Sequence, residues 1–65
     1  MRNNIRTLRK QAGLRQEDVA KLVNVTRQTI NAIENDQYNP TLVLAMKLAR
    51  LLKTPVEDLF ILDDE

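Results

Sequence analysis

Apolar residues recur along this chain at the three- and four-residue intervals of amphipathic helices, and nothing before the last few residues alternates as a strand does. Ile5, Leu8 and Ala12 share one face of a first helix, which Asn3 or Asn4 caps and Gly13 ends in the left-handed conformation. A second helix is predicted from about Gln16 to Val23, with Val19, Ala20, Leu22 and Val23 on its buried face. Glu17 and Asp18 suit the positive end of its dipole, whereas Arg15 stands where a Ser or Thr cap is expected. Thr26 caps a third helix, Arg27 to about Asn35, whose inward positions are Thr29, Ile30 and Ile33.

Pro40 precedes a fourth helix that begins near Thr41 and runs to Leu52. Leu42, Ala45, Leu48, Ala49 and Leu52 form one stripe on it, flanked by Val43, Leu44, Met46 and Leu51. A helix apolar on several sides is expected to be buried against more than one neighbour. Thr54-Pro55-Val56-Glu57 has the form of a capping box with proline at the first helical position, which places the start of a short fifth helix. Phe60, Ile61 and Leu62 follow, then the acidic Asp63-Asp64-Glu65. With a single glycine in the chain, three further helix ends must turn on Asn24, Asp36 and Lys53, at a steric cost greatest for Lys53. The predicted fold class is all-α, one five-helix domain over residues 1–65.

Composition sharpens this picture by exclusion. A chain of 65 residues buries only about 60% of its unfolded surface, so a lone copy is marginally stable and calls for a staple. Cysteine and histidine are absent, which excludes disulfides and the usual zinc sites and leaves oligomerisation. Serine is absent too, so the common nucleophile and general-base pairings have no members, and a helical domain this small has little room for a substrate pocket. No enzyme activity, cofactor, metal or small-molecule ligand is expected. No apolar run reaches the length of a membrane span and the N-terminus lacks a signal-peptide core, so no membrane association and a cytoplasmic location are expected.

The net charge of +1 hides a division. Residues 1–33 carry seven basic and two acidic groups, residues 34–65 three basic and seven acidic. Either the basic end meets a polyanion and the acidic end points away, or the basic groups merely solubilise helix surfaces.

Residues 16–35, QEDVAKLVNVTRQTINAIEN, are the informative stretch. Two short helices joined by Asn24-Val25-Thr26, with small Ala20 at their close approach and Val19, Val25, Ile30 and Ile33 between them, form a helix-turn-helix. In that motif the second helix lies in the major groove of double-stranded DNA. Arg27, Gln28, Asn31 and Ala32 face outward. Arg27 suits guanine O6 and N7, and Gln28 or Asn31 suits adenine N6 and N7; the same side chains are also ordinary for a solvated face. Gln16 either opens the second helix where free N–H groups suit a phosphate oxygen or is a simple exposed polar residue. Tyr38 and Asn39 are placed to reach the next phosphates, although the Tyr38 ring has an alternative place against the fourth helix. Phe60, Ile61 and Leu62, with the spare apolar faces nearby, either close the core of one chain or form a homodimer seam over about residues 51–62 that includes Leu51.

GLRQEDVAKLVNVTRQTINAIEN, followed by NPTLVLAMKLARLL and TPVEDLF, resembles the Xre/Cro–C1 family of phage and bacterial repressors over nearly the whole chain. The TRQTIN helix and the YNP-T-L loop are similar to those of its small single-domain members of the cytolysin operon repressor type. The resemblance implies a five-helix lambda-repressor-like domain, a small two-stranded antiparallel sheet from the chain ends, and a symmetric dimer on an inverted repeat. It puts Gln16, Thr26, Arg27, Gln28, Thr29, Asn31, Tyr38 and Asn39 at DNA-contacting positions, and Val56, Phe60 and Leu62 on the dimer surface. The family usually has glycine where Asn24, Asp36 and Lys53 stand, and a small hydroxyl cap at Arg15. The expected function is a sequence-specific transcriptional regulator, a repressor since no activation or ligand domain is present. An antitoxin of a toxin–antitoxin pair and a protein-interaction module that has lost DNA binding are the alternatives.

Overall fold

In the computed structural model, which describes residues 1–62, the order is β1 (Arg2–Asn3), α1 (Ile5–Gln11), α2 (Gln16–Leu22), α3 (Arg27–Glu34), α4 (Leu42–Leu51), α5 (Val56–Leu59) and β2 (Phe60–Ile61). Asp63-Asp64-Glu65 lies outside the described residues. Every helix sends at least one fully buried side chain inward: Ile5, Val19, Ile30 with Ile33, Leu48 and Leu59. Ala20, Val23, Leu44, Ala45, Ala49, Leu52 and Phe60 complete the core.

Four of the helices stop in the same way. The left-handed residue just past each end is Gly13, Asn24, Asp36 or Lys53, with φ of 74°, 62°, 59° and 53°. In each case its N–H and that of the next residue turn back onto carbonyls of the last turn. For α4 these are Lys53 to Arg50 at 3.3 Å and Thr54 to Ala49 at 3.0 Å. This double closure satisfies carbonyls that a helix end leaves open, and it reverses the chain within two residues. The turns expected on three non-glycine residues are therefore present.

Several sequence expectations need correction. Ala12 is exposed, and Arg9 takes the buried place on α1 with only 7% of its surface exposed. On α2 the buried face is limited to Val19, Ala20 and Val23; Leu22 lies about 100° round the helix from Val23 and is 62% exposed. On α4 the inward stripe is Leu44, Ala45, Leu48, Ala49 and Leu52, so Leu44 replaces Leu42, which is 71% exposed. The predicted capping box of α5 does not form. Pro55 is the capping residue, and the Thr54 hydroxyl donates to the Leu52 carbonyl at 3.0 Å instead.

The chain ends pair. β1 and β2 run antiparallel with Arg2 opposite Ile61 and Asn3 opposite Phe60. The Asn4 N–H donates to the Leu59 carbonyl at 2.9 Å. Asn3 does the capping at this junction: its Oδ1 accepts the Ile5 N–H at 3.1 Å, and its Nδ2 donates to the Ile33 carbonyl at 2.8 Å. The short sheet is thereby fixed to the C-terminal end of α3.

Candidate nucleic-acid interface

The outward face of α3 is exposed because Ile30 and Ile33 on its other side are sunk into the core. Thr26 starts the helix, its Oγ1 accepting the Thr29 N–H at 3.2 Å. The two hydroxyls lie 3.0 Å apart, which turns Thr29 back toward the cap and leaves it half-buried. Arg27, Gln28 and Asn31 are exposed, while Ala32, expected outward, is half-buried. Arg27 and Gln28 make no hydrogen bond or ion pair among the described residues, so both side chains are available to a partner.

A buried charge holds this face to the rest of the molecule. The Glu34 side chain, on the last turn of α3, is fully shielded from solvent and meets Arg9 of α1 through two bonds, from Nε at 2.7 Å and Nη2 at 3.1 Å. Arg9 also donates to the Leu14 carbonyl at 3.0 Å. Arg6 adds a contact to Glu34 at 3.3 Å, and Gln16 Nε2 donates to it at 3.1 Å. Burial is the largest single influence on the Glu34 carboxyl and would raise its pKa. The hydrogen bonds from Arg9 and Gln16, the Arg9 charge and the Arg6 bond together outweigh it and leave the pKa below the ordinary value. Glu34 thus stays ionised at neutral pH and ties α1, α2 and α3 together. Sequence reading missed this pair. Its signal was a basic and an acidic residue each lying among apolar positions of an inward face: Arg9 four residues after Ile5, and Glu34 four after Ile30.

Gln16 is the first residue of α2, and its Nε2 also donates to Asn31 Oδ1 at 3.1 Å. The start of α2 and the middle of α3 are therefore joined side chain to side chain. Arg15, unable to cap with an oxygen, is compensated from the other direction: Asp18 Oδ2 accepts the Arg15 N–H at 2.8 Å. That bond, and to a lesser degree the Arg15 charge, keeps the Asp18 carboxyl below its ordinary pKa against a smaller opposing effect of burial. A shallow groove of about 220 Å³ runs between the helices, lined by Arg9, Arg15, Gln16, Glu17 and Arg27. Tyr38 and Asn39 are exposed in the segment between α3 and α4 and make no hydrogen bond among the described residues.

The remaining predicted residues cluster elsewhere. Met1, Val56, Glu57, Phe60, Ile61 and Leu62 line an apolar depression of about 560 Å³ beside the strand pair. Phe60 is only 8% exposed and mainly closes this chain's own core, whereas Leu62 is 81% exposed. Val56, Ile61 and Leu51 are half-buried. Val43 and Met46 leave further apolar surface on α4. Among the described residues no helix is long and apolar enough to cross a membrane, and no cluster of acidic side chains is arranged to hold a metal ion.

The family model described as "Helix-turn-helix" matches residues 5–59. An HTH-type transcriptional regulator of Methanothermobacter thermautotrophicus is 52% identical over 66 residues, covering 100% of this chain and 96% of that protein. One from Archaeoglobus fulgidus is 51% identical over 65 residues, covering 100% and 93%. The regulator YgzD of Bacillus subtilis is 42% identical over 65 residues, covering 100% and 98%. Among solved structures, the restriction-modification controller protein C.AhdI from Aeromonas hydrophila is similar with a TM-score of 0.78 and 38% identity, over 86% of this chain and 85% of that one. With a cradled recognition helix, and relatives of the same span that are regulators, the chain belongs to the Xre/Cro–C1-type helix-turn-helix family of DNA-binding transcriptional regulators.

Proposed function

We propose that the chain is a cytoplasmic, sequence-specific repressor that binds an inverted-repeat operator as a homodimer. The observation that carries this reading is the contrast on α3. Its inner side is fixed by Ile30, Ile33 and the buried Glu34, while Arg27 and Gln28 stand exposed and unengaged on its outer side. Residues 16–35 form the reader in this scheme. Arg27 bonds a guanine edge, Gln28 an adenine edge, and Asn31 reads beside them. Thr26, Thr29 and the N–H groups at the start of α2, by Gln16, take phosphate oxygens, as do Tyr38 and Asn39.

Residues 51–62 supply the seam. Leu62 and Ile61, with Val56 and the edge of Phe60, present apolar surface that a second copy covers, and half-buried Leu51 is assigned to the same seam. Such surface is normally an interaction site. A two-fold axis there sets the recognition helices about 34 Å apart, one turn of B-DNA, and a dimer across both half-sites obstructs polymerase. Selection of bound duplexes from a random pool, near physiological salt, tests this. Recovery of an inverted repeat with half-site centres about one turn apart is expected. A pool that stays random while low-salt binding persists refutes it.

A further inference from the structure

Resting on that reading, we infer that Asn31 reads DNA as a hydrogen-bond donor only, selecting a keto base through guanine O6 or thymine O4. An unconstrained asparagine offers both an oxygen and an amide N–H to a base, which is why it pairs with adenine. Asn31 is constrained. Its Oδ1 accepts from Gln16 Nε2 at 3.1 Å and from Asn35 Nδ2 at 3.3 Å, which occupies both of its lone pairs.

Two charged residues on opposite sides fix that orientation. Glu34 is an ionised carboxylate and can only accept, so the Gln16 group 3.1 Å from it must be the NH₂. The second hydrogen of that NH₂ then points at Asn31, which must answer with oxygen. Arg6 can only donate, and its Nη2 lies 2.8 Å from Asn35 Oδ1. The NH₂ of Asn35 is thereby left facing Asn31, which again must answer with oxygen. Turning the Asn31 amide over would set its NH₂ against two others and leave both unsatisfied. The Nδ2 of Asn31 makes no hydrogen bond among the described residues, and the residue is exposed on the groove-facing side of α3. What reaches the base edge is a donor. Cytosine opposes it with the N4 amino group alone and adenine sets the N6 amino group beside its N7 acceptor, whereas guanine O6 and N7 and thymine O4 accept it with no amino group on the same base edge.

Duplex selection with the native protein and with Asn31→Ala and Asn31→Asp tests this, with circular dichroism melts to establish that each variant folds. One position per half-site is expected to be guanine or thymine in the native pool, the base itself telling which oxygen is used. Its preference should fall by roughly fivefold or more in the Asn31→Ala pool, the lower end of a good base contact. Asn31→Asp keeps an oxygen toward Gln16 and Asn35 and turns a second one outward, so the position should change to cytosine or adenine. If Asn31→Asp does not fold, the native and Asn31→Ala pools decide alone. Adenine or cytosine at the position that Asn31→Ala loses overturns the inference, as does an unchanged pool or an equal weakening on every duplex. In those three results a native consensus still stands; a native pool with no consensus overturns the DNA-reading assignment as well.

Discussion

Replacing Arg9 with methionine takes the guanidinium from a carboxylate that has no solvent beside it. Arg9 makes the shortest contact to Glu34, 2.7 Å, and a second at 3.1 Å. Arg6 at 3.3 Å and Gln16 at 3.1 Å remain afterwards. Removing one partner of a buried ion pair costs about 3–5 kcal/mol. The remaining donors, and the packing that methionine keeps, place the loss at the lower end, about 3 kcal/mol. A domain of 65 residues is stable by roughly 3–10 kcal/mol in all, so little margin is left. At about 4–8 °C per kcal/mol the melting midpoint should fall by about 12–24 °C. Arg9→Met with Glu34→Leu removes both charges, and an apolar pair in that space should restore most of the loss. Urea and thermal melts followed by circular dichroism at neutral pH, arranged as a double-mutant cycle, provide the assay. A loss below about 1 kcal/mol for Arg9→Met, or a double variant no more stable than the single one, refutes the assignment of Glu34 as a buried charge held by Arg9.

Glu34 also sets an acid limit: with its folded pKa below the ordinary 4.5, its stabilisation is complete above pH 4.5 and lost as pH falls through the folded value. Urea midpoints measured from pH 7 to pH 3 should show that decline, and Glu34→Gln, though less stable at neutral pH, should lack this component of it. Arg27→Ala should relax preference at one base pair for roughly 1–3 kcal/mol per half-site, whereas an equal loss on specific and random DNA in a binding titration assigns Arg27 to phosphate. Leu62→Asp should give a folded monomer by sedimentation and circular dichroism, because Leu62 is exposed in the single chain, while Phe60→Asp should unfold it by burying a charge. Lys53→Gly should raise stability by about 0.5–1 kcal/mol, read from the melting midpoint, by relieving a left-handed lysine at some cost in unfolded-chain entropy.

The parts of the fold legible in the sequence are those decided within a few residues. Thr26 lies next to the helix it caps, and the turns at Asn24, Asp36 and Lys53 follow from where apolar periodicity stops. The exposure of Arg27 and Gln28 follows from the same periodicity, set by Ile30 and Ile33. Legibility failed where two solutions fit one helix. On α4, Leu42 and Leu44 both belong to plausible stripes, and only the positions of the neighbouring helices decide between them. Thr54 had the right spacing for a cap, but its hydroxyl donates to the Leu52 carbonyl and accepts no helix N–H. The Arg9–Glu34 pair joins residues 25 apart in sequence, beyond any local pattern. The amide chain from Glu34 through Gln16 to Asn31 leaves α3 for α2 and returns, and exists only in the folded chain.

The pairing of Arg2 with Ile61 has a further consequence. Paired strands lie about 4.8 Å apart, so a linker of a few residues joined to Met1 and Leu62 would close the backbone into a ring without distorting it. Cyclisation of that kind lowers the entropy of the unfolded chain and leaves the folded one unchanged. It would supply by topology the cross-link that a chain with neither cysteine nor histidine has no chemistry to make. Closing the ring beyond Arg2 and Ile61 leaves the Asn3 tie to the C-terminal end of α3 untouched, so the exposed face of that helix keeps its place.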